Sequence, residues 1–134
     1  MELNTRQIQS NDWEMLCDWW SGHKFPIPSK DALPDEGKGG LIVEENGIPV
    51  IAGFIFQTNT KGCWFEFIIS DPNYKGSRDK IIQELVINAE EVAKNLGYKY
   101  VLFVGKSKGL IKNFEELGWF KDPVPSHEMM KKIQ

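Results

Sequence analysis

The spacing of apolar positions changes period along the chain, and each change marks an element. From Gly40 to Ser70 the apolar residues come in β-branched and aromatic runs, "GLIVEENGIPVIAGFIFQTNTKGCWFEFIIS", broken at Glu45-Asn46-Gly47 and at Asn59-Thr60-Lys61-Gly62. Turn residues at those breaks predict an antiparallel meander with strands over 41–45, 48–57 and 63–70. From about Ser77 the period lengthens. Ile81, Ile82, Leu85, Val86, Ala89, Val92, Ala93 and Leu96 recur at i, i+3, i+4 until Gly97, the pattern of one long amphipathic helix with a glycine stop.

"YKYVLFV" then reads as a buried strand, and "SKGLIKNFEELG" as a short helix with Leu110, Phe114 and Leu117 on one face and Gly118 as its end. Upstream, "LNTRQIQ" predicts a first strand. "SNDWEMLCDWW" predicts a helix that Ser10, Asn11 or Asp12 can cap, with Trp13, Leu16, Cys17 and Trp20 at helical spacing. Residues 21–40 hold three prolines and four glycines and read as loop. "WFKD" and "HEMMKKI" are expected to form two final strands around "DPVPS". The order β-α-loop-β-β-β-α-β-α-β-β predicts an α+β fold. Its central mixed, mostly antiparallel sheet has about six to seven strands flanked by helices, because a helix returning to a further strand implies one parallel crossover.

Composition narrows the class. A chain of 134 residues with 41% hydrophobic and 12% aromatic content is expected to be a single domain, 1–134, with a core of its own. A net charge of −3 gives no reason to expect nucleic acid as partner. The start "MELNTRQIQS" has no apolar stretch of a secretory leader, and no apolar run is long enough to cross a bilayer, so no membrane association is expected. Cys17 and Cys63 are too few and too isolated for a disulfide framework or a zinc site; a soluble protein of the reducing cytoplasm, without metal, is expected.

One stretch stands out, "IISDPNYKGSRDKIIQELV", a strand running through a turn into the long helix. Together with the strand order and the ending "IKNFEELGWF", its "SDPNYKG" makes the chain resemble the GNAT N-acetyltransferase superfamily over nearly its whole length, in particular the compact, divergent members found in phages and marine bacteria. Members typically read Val-x-Pro-x-x-Arg-Gly-x-Gly-x-Gly at the first motif and Tyr-x-x-x-Gly-Phe at the second. The resemblance implies acetyl-CoA as co-substrate, bound where the fourth and fifth strands splay apart. The amides of Gly76, Ser77 and Asp79, in the turn and the first helical turn, would hold the pyrophosphate, since unpaired N–H groups and the helix dipole favour an anion there.

Aligned from Pro72, the family's arginine falls on Lys75, its next glycine on Gly76, and its two later glycines on Arg78 and Lys80; a second register places Gly76 at the first motif glycine. Forcing an ordinary residue into a left-handed backbone costs roughly 1–2 kcal/mol, and a charge-assisted contact to phosphate returns about 1.5–3 kcal/mol. Lys75, Arg78 and Lys80 are therefore expected either to replace the glycines by side chain or simply to solvate a helix start.

Acetyl transfer needs a neutral amine, a polarised thioester carbonyl and a thiolate that can leave. Glu66, between Phe65 and Phe67 on an otherwise apolar strand, is the candidate base if burial raises its pKa, and an exposed-face residue if not. The resemblance implies that backbone N–H groups near Ile68, Ile69 and Ser70 polarise the carbonyl from a bulge in that strand. It also aligns Phe114 with the family's tyrosine acid, and phenylalanine has no proton to give; a thiol with pKa near 8.5 can still depart as thiolate. Ser107 falls where a pantetheine contact is common, or it caps the short helix. His23 and His127 are alternative bases, and Cys63 is a weaker nucleophile candidate with no histidine near it in sequence.

Trp19, Trp20 and Phe25 could wall an acceptor pocket, with Asp31, Asp35 and Glu36 suited to a cationic amine; core packing and a solvated acidic loop are the plainer alternatives. Two readings follow. One is an N-acetyltransferase acting on a small-molecule or peptide amine, with dimerisation through exposed edges of the terminal strands in prospect. The other is a GNAT-fold binding or regulatory module that does not catalyse.

Overall fold

The computed structural model describes residues 2–134, and among them five strands form one sheet in the order β1-β2-β3-β4-β5. These are β1 (Leu3–Gln7), β2 (Gly40–Glu45), β3 (Ile48–Phe56), β4 (Gly62–Ser70) and β5 (Tyr100–Leu102). Neighbours run antiparallel except β4 and β5, which are parallel, as the crossover through the long helix requires. That helix is α2 (Arg78–Asn95); α1 (Trp13–Gly22) follows β1, and α3 (Lys108–Glu116) follows β5. Short 3-10 turns lie at Ser10–Asp12, Lys30–Ala32 and Pro34–Gly37. No described helix is long and apolar enough to cross a membrane.

Alternation along the strands divides the core in two. Leu41, Val43, Ile55, Cys63 and Phe65 face α2 and meet Ile81, Leu85, Val86 and Ala89 from its apolar stripe. Ile42, Ala52 and Phe54 point the other way, onto Leu16, Trp19 and Trp20 of α1. The β2–β3 hairpin turns at Asn46 and Gly47, both at positive φ (52° and 82°), with Glu45 opposite Ile48. This is the two-residue turn the Asn-Gly pair predicts. Gly53 leaves room for Phe65, since a Cβ there would lie 2.4 Å from the ring. Arg6 ties β1 to the start of α1 and to β2 by donating to Asp12 (2.8 and 2.9 Å) and Glu44 (2.9 Å), and its hydrogen bonds hold the Asp12 carboxyl below the usual range.

The sheet has five strands rather than the six to seven expected. "WFKD" and "HEMMKKI" are not strands, and Phe120, Met129 and Met130 are almost fully exposed (90%, 90% and 92%). Two prolines, Pro123 and Pro125, remove donors from this segment. The apolar residues Met129, Met130 and Ile133 do not alternate, so a strand here would have no consistent face to bury. The strand expected over "YKYVLFV" shrinks to three residues, and Tyr100, Leu102 and Val104 are exposed. Apolar residues on both faces suggested burial on both. Only the face carrying Val101 and Phe103 packs on the core, against the α2-side cluster that includes Phe114.

Candidate active site

β4 carries the central irregularity. Phe54 pairs with Glu66 while Ala52 pairs with Ile69, so β4 holds one residue more than β3 across this interval. Phe67 sits there at φ 56°, in the left-handed region. The extra residue reverses the facing of everything that follows. Before it, Cys63 and Phe65 face α2; after it, Ile68 packs on that side and Ile69 is buried against α1. Glu66 and Phe67 thereby share one face, which strict alternation along "CWFEFIIS" would have forbidden. The bulge expected at Ile68–Ser70 is centred one residue earlier, on Phe67.

β4 and β5 are in register only from Gly62–Tyr100 to Trp64–Leu102, and then part. Glu66 lies just beyond. Its Oε2 accepts a hydrogen bond from the Val104 backbone N–H at 2.7 Å, so a side chain spans the gap where the ladder ends. Burial pushes the Glu66 carboxyl up from 4.5 to about 7, the Val104 N–H pulls it down, and the nearby Glu128 charge pushes it further up.

A cavity opens on each side of β4. On the α2 side a cleft of about 380 Å³ is walled by Ile51, Ile68, Ile81, Ile82 and Leu110, with Ser70, Arg78, Asp79 and Ser107 among its polar residues. On the other side a cavity of about 460 Å³ is walled by Phe56, Trp64 and Phe67 and holds Glu66, His127 and Glu128. Phe56 and Phe67 stack with centroids 6.0 Å apart.

The cleft gathers Ile68, Ser70, Arg78, Asp79 and Ser107 from the residues singled out in sequence. Ser77 caps α2 by accepting from the Lys80 N–H (3.4 Å), and no hydrogen bond engages the Arg78 or Asp79 N–H among the described residues. Arg78 and Lys80 lie within the α2 helix, so the left-handed backbone that glycine would serve is not required of them. Gly76 is also outside the positive-φ set; its Cβ would instead strike the Tyr74 hydroxyl. Arg78 turns back over its own loop, donating to Ser70 Oγ (2.5 Å) and to the Asp71 and Tyr74 carbonyls (3.2 and 3.4 Å). Lys75 and Lys80 are exposed and do not line the cleft. Ser107 caps α3 by accepting from the Leu110 N–H at 3.3 Å.

Other residues fall elsewhere. Phe114 is buried in the core, stacked on Phe103 (4.2 Å) and edge-on to Trp119 (4.6 Å), and does not line the cleft. The Ile69 side chain is buried under α1. His23 donates from Nε2 to the Ser70 carbonyl at 2.9 Å and stacks on Phe25, while His127 lines the Glu66 cavity. Trp19 and Trp20 belong to the core, and Asp35 lines a separate cavity with Gly39 and Gly40. Cys63 is buried, and burial raises its thiol pKa.

Several contributors were not legible beforehand. Val104 acts through its backbone and leaves no side-chain signal. Asn113 is buried at the α2–α3 contact, donating to Asp79 Oδ1 (2.8 Å) and accepting from Gln83 Nε2 (2.9 Å); a polar residue inside an apolar helix stripe was its only signal. Glu128 reaches the cavity from a segment without regular structure.

No family model and no curated protein sequence matches the chain. Solved structures do resemble it in fold. The ribosomal-protein-S18-alanine N-acetyltransferase of Escherichia coli matches with TM-score 0.69 at 16% identity, over 87% of this chain and 77% of that one. An acetyltransferase from Trypanosoma brucei matches with TM-score 0.63 at 18% identity over 99% of both chains. The N-acetylglutamate synthase of Neisseria gonorrhoeae, solved with coenzyme A and L-arginine, matches with TM-score 0.72 at 14% identity over 92% of this chain and 29% of the synthase. The chain has the fold of the GNAT acetyltransferases.

Proposed function

We propose that the protein transfers an acetyl group from acetyl-CoA to an amine. The observation that carries this reading is the pair of cavities on opposite sides of the β4 bulge, with the Glu66 carboxylate where β4 and β5 part. Donor and acceptor would approach from the two sides and meet at that opening.

The residues of the α2-side cleft fit the donor. Its isoleucine walls suit the pantetheine arm, and the open N–H groups of the first turn of α2 suit a phosphate anion. Lys75 and Lys80 add positive charge near that turn, while Arg78 holds the loop in shape. The Asp79 carboxylate, which would repel phosphate, is engaged by Asn113. Acetyl-CoA supplies an activated acyl carbon and a thiolate leaving group.

Glu66, its carboxyl pushed up to about 7 by burial, takes a proton from the incoming ammonium and leaves a neutral amine. The amine nitrogen bonds to the acyl carbon, the C–S bond breaks, and the second proton on nitrogen passes to solvent as the amide forms, while the bulged backbone after Phe67 supplies amide dipoles to the carbonyl oxygen. Phe114 donates no proton, so the thiolate takes its proton from solvent. Cys17 and Cys63 are both free thiols, which fits the reducing cytoplasm, and the uncovered outer edge of β5 is where a second copy would pair. Phe114 also favours the second reading, a GNAT-fold module that binds without catalysing, because the position expected to supply the leaving-group proton is sealed in the core.

Calorimetric titration with acetyl-CoA tests the donor site. Saturable binding that weakens roughly tenfold in Lys75→Ala/Lys80→Ala is expected. Turnover followed by thiol release should fall about 10²-fold or more in Glu66→Gln. Absence of heat at millimolar acetyl-CoA from a folded sample would overturn the acetyltransferase reading.

A further inference from the structure

The cavity beside Glu66 has a lining that the transfer reaction alone does not explain. Three aromatic side chains, Phe56, Trp64 and Phe67, form its walls, and the last two remain partly exposed to it (37% and 42%). Two carboxylates share it, Glu66 from β4 and Glu128 from the terminal segment, near enough for their charges to interact. No lysine or arginine lines the cavity, and neither carboxylate is in an ion pair among the described residues. His127 is the one lining side chain able to carry a positive charge.

We propose that this cavity selects a small diamine, with one amino group at Glu66 and a second, still protonated, held by Glu128 against the aromatic walls. The proposal rests on the acetyltransferase reading for the role of Glu66. The argument is one of charge accounting. A reacting amine must be neutral, so its proton passes to Glu66, which becomes neutral too. A monoamine that has given its proton to Glu66 brings the exposed Glu128 carboxylate no cation, and His127 is the one lining group that could balance it. A second ammonium on the same chain meets that charge throughout the reaction, and ring faces attract such a cation while the methylene chain covers apolar surface. A volume of about 460 Å³ admits a short alkyl chain bearing both groups.

Glu128 is then the residue that sets specificity. The test compares 1,4-diaminobutane with n-butylamine, first by titration without acetyl-CoA, then by thiol release with it. Wild-type protein should bind the diamine and use it at least roughly tenfold better, by kcat/KM, than the monoamine. Glu128→Gln, an exposed position whose replacement leaves the core untouched, should bring that ratio to within about twofold. Equal binding of the two amines, or a ratio unchanged in Glu128→Gln, overturns the inference and leaves the transferase reading intact. Diamine binding that needs Glu128, with no thiol release from any amine, upholds the cavity assignment and overturns the transferase reading. No diamine binding by calorimetry, together with turnover of a lysine-containing peptide, would give the cavity to a peptide acceptor and refute the small-diamine assignment.

Discussion

Replacing Glu66 with glutamine keeps the side chain's shape and its ability to accept the Val104 N–H, and removes only the charge. The consequence for stability follows from the raised pKa. Below about pH 4.5 the carboxyl is protonated in folded and unfolded chains alike, and burial costs nothing. Between 4.5 and about 7 the unfolded chain has released the proton while the folded protein keeps it, so stability falls as pH rises. Above about 7 the penalty is complete. At ~1.4 kcal/mol per pKa unit the full separation would be worth about 3.4 kcal/mol. The site is only half-buried and solvent screening reduces this, so about 1–2 kcal/mol is the expected size. Urea denaturation of wild type and Glu66→Gln at pH 5 and pH 8 isolates the effect, because other titrating groups cancel in the difference. The variant should exceed wild type by only a few tenths of a kcal/mol at pH 5, where about a quarter of the penalty has developed, and by about 1–2 kcal/mol at pH 8. The same offset at both pH values would refute the claim that burial destabilises the ionised form.

Other outcomes follow from the same geometry. Asn113→Ala removes the donor to Asp79 and one of two acceptors of Gln83 at a half-buried contact, and should cost about 0.5–1.5 kcal/mol in denaturant unfolding; an unchanged midpoint would refute the network's role. Phe114→Tyr places a hydroxyl between Phe103 and Trp119, in the core rather than the cleft, and should cost about 1–2 kcal/mol without raising thiol release. A tenfold gain in rate would show that the ring reaches the reacting atoms.

The difference between what could be read early and what could not comes down to the range over which each feature is specified. The apolar stripe from Ile81 to Ala93, the Asn46-Gly47 turn, and the strand runs around them are set by residues a few positions apart, so the sequence alone determined the α+β class, the meander and the long crossover helix. Chemical type was also local. A carboxylate inside an apolar strand marked Glu66 before any neighbour was known, and a serine before a short helix marked Ser107 as a cap, while the Ser77 cap emerged only with the structure.

Facing was not local. One extra residue at Phe67 sets Glu66 and Phe67 on a common side, and only the pairing of β4 with β3 reveals it. Arg78 looked like a phosphate ligand by position, yet three acceptors at 2.5–3.4 Å turn it into a brace for its own loop. The terminal segment has strand-like composition but no regular hydrogen-bonded partner, and what it contributes is Glu128 beside Glu66. Residue types and periods come from the chain itself. Which side a residue faces, how deeply a carboxylate is buried and which charges meet across a cavity depend on contacts between distant segments, and those only the tertiary structure decided.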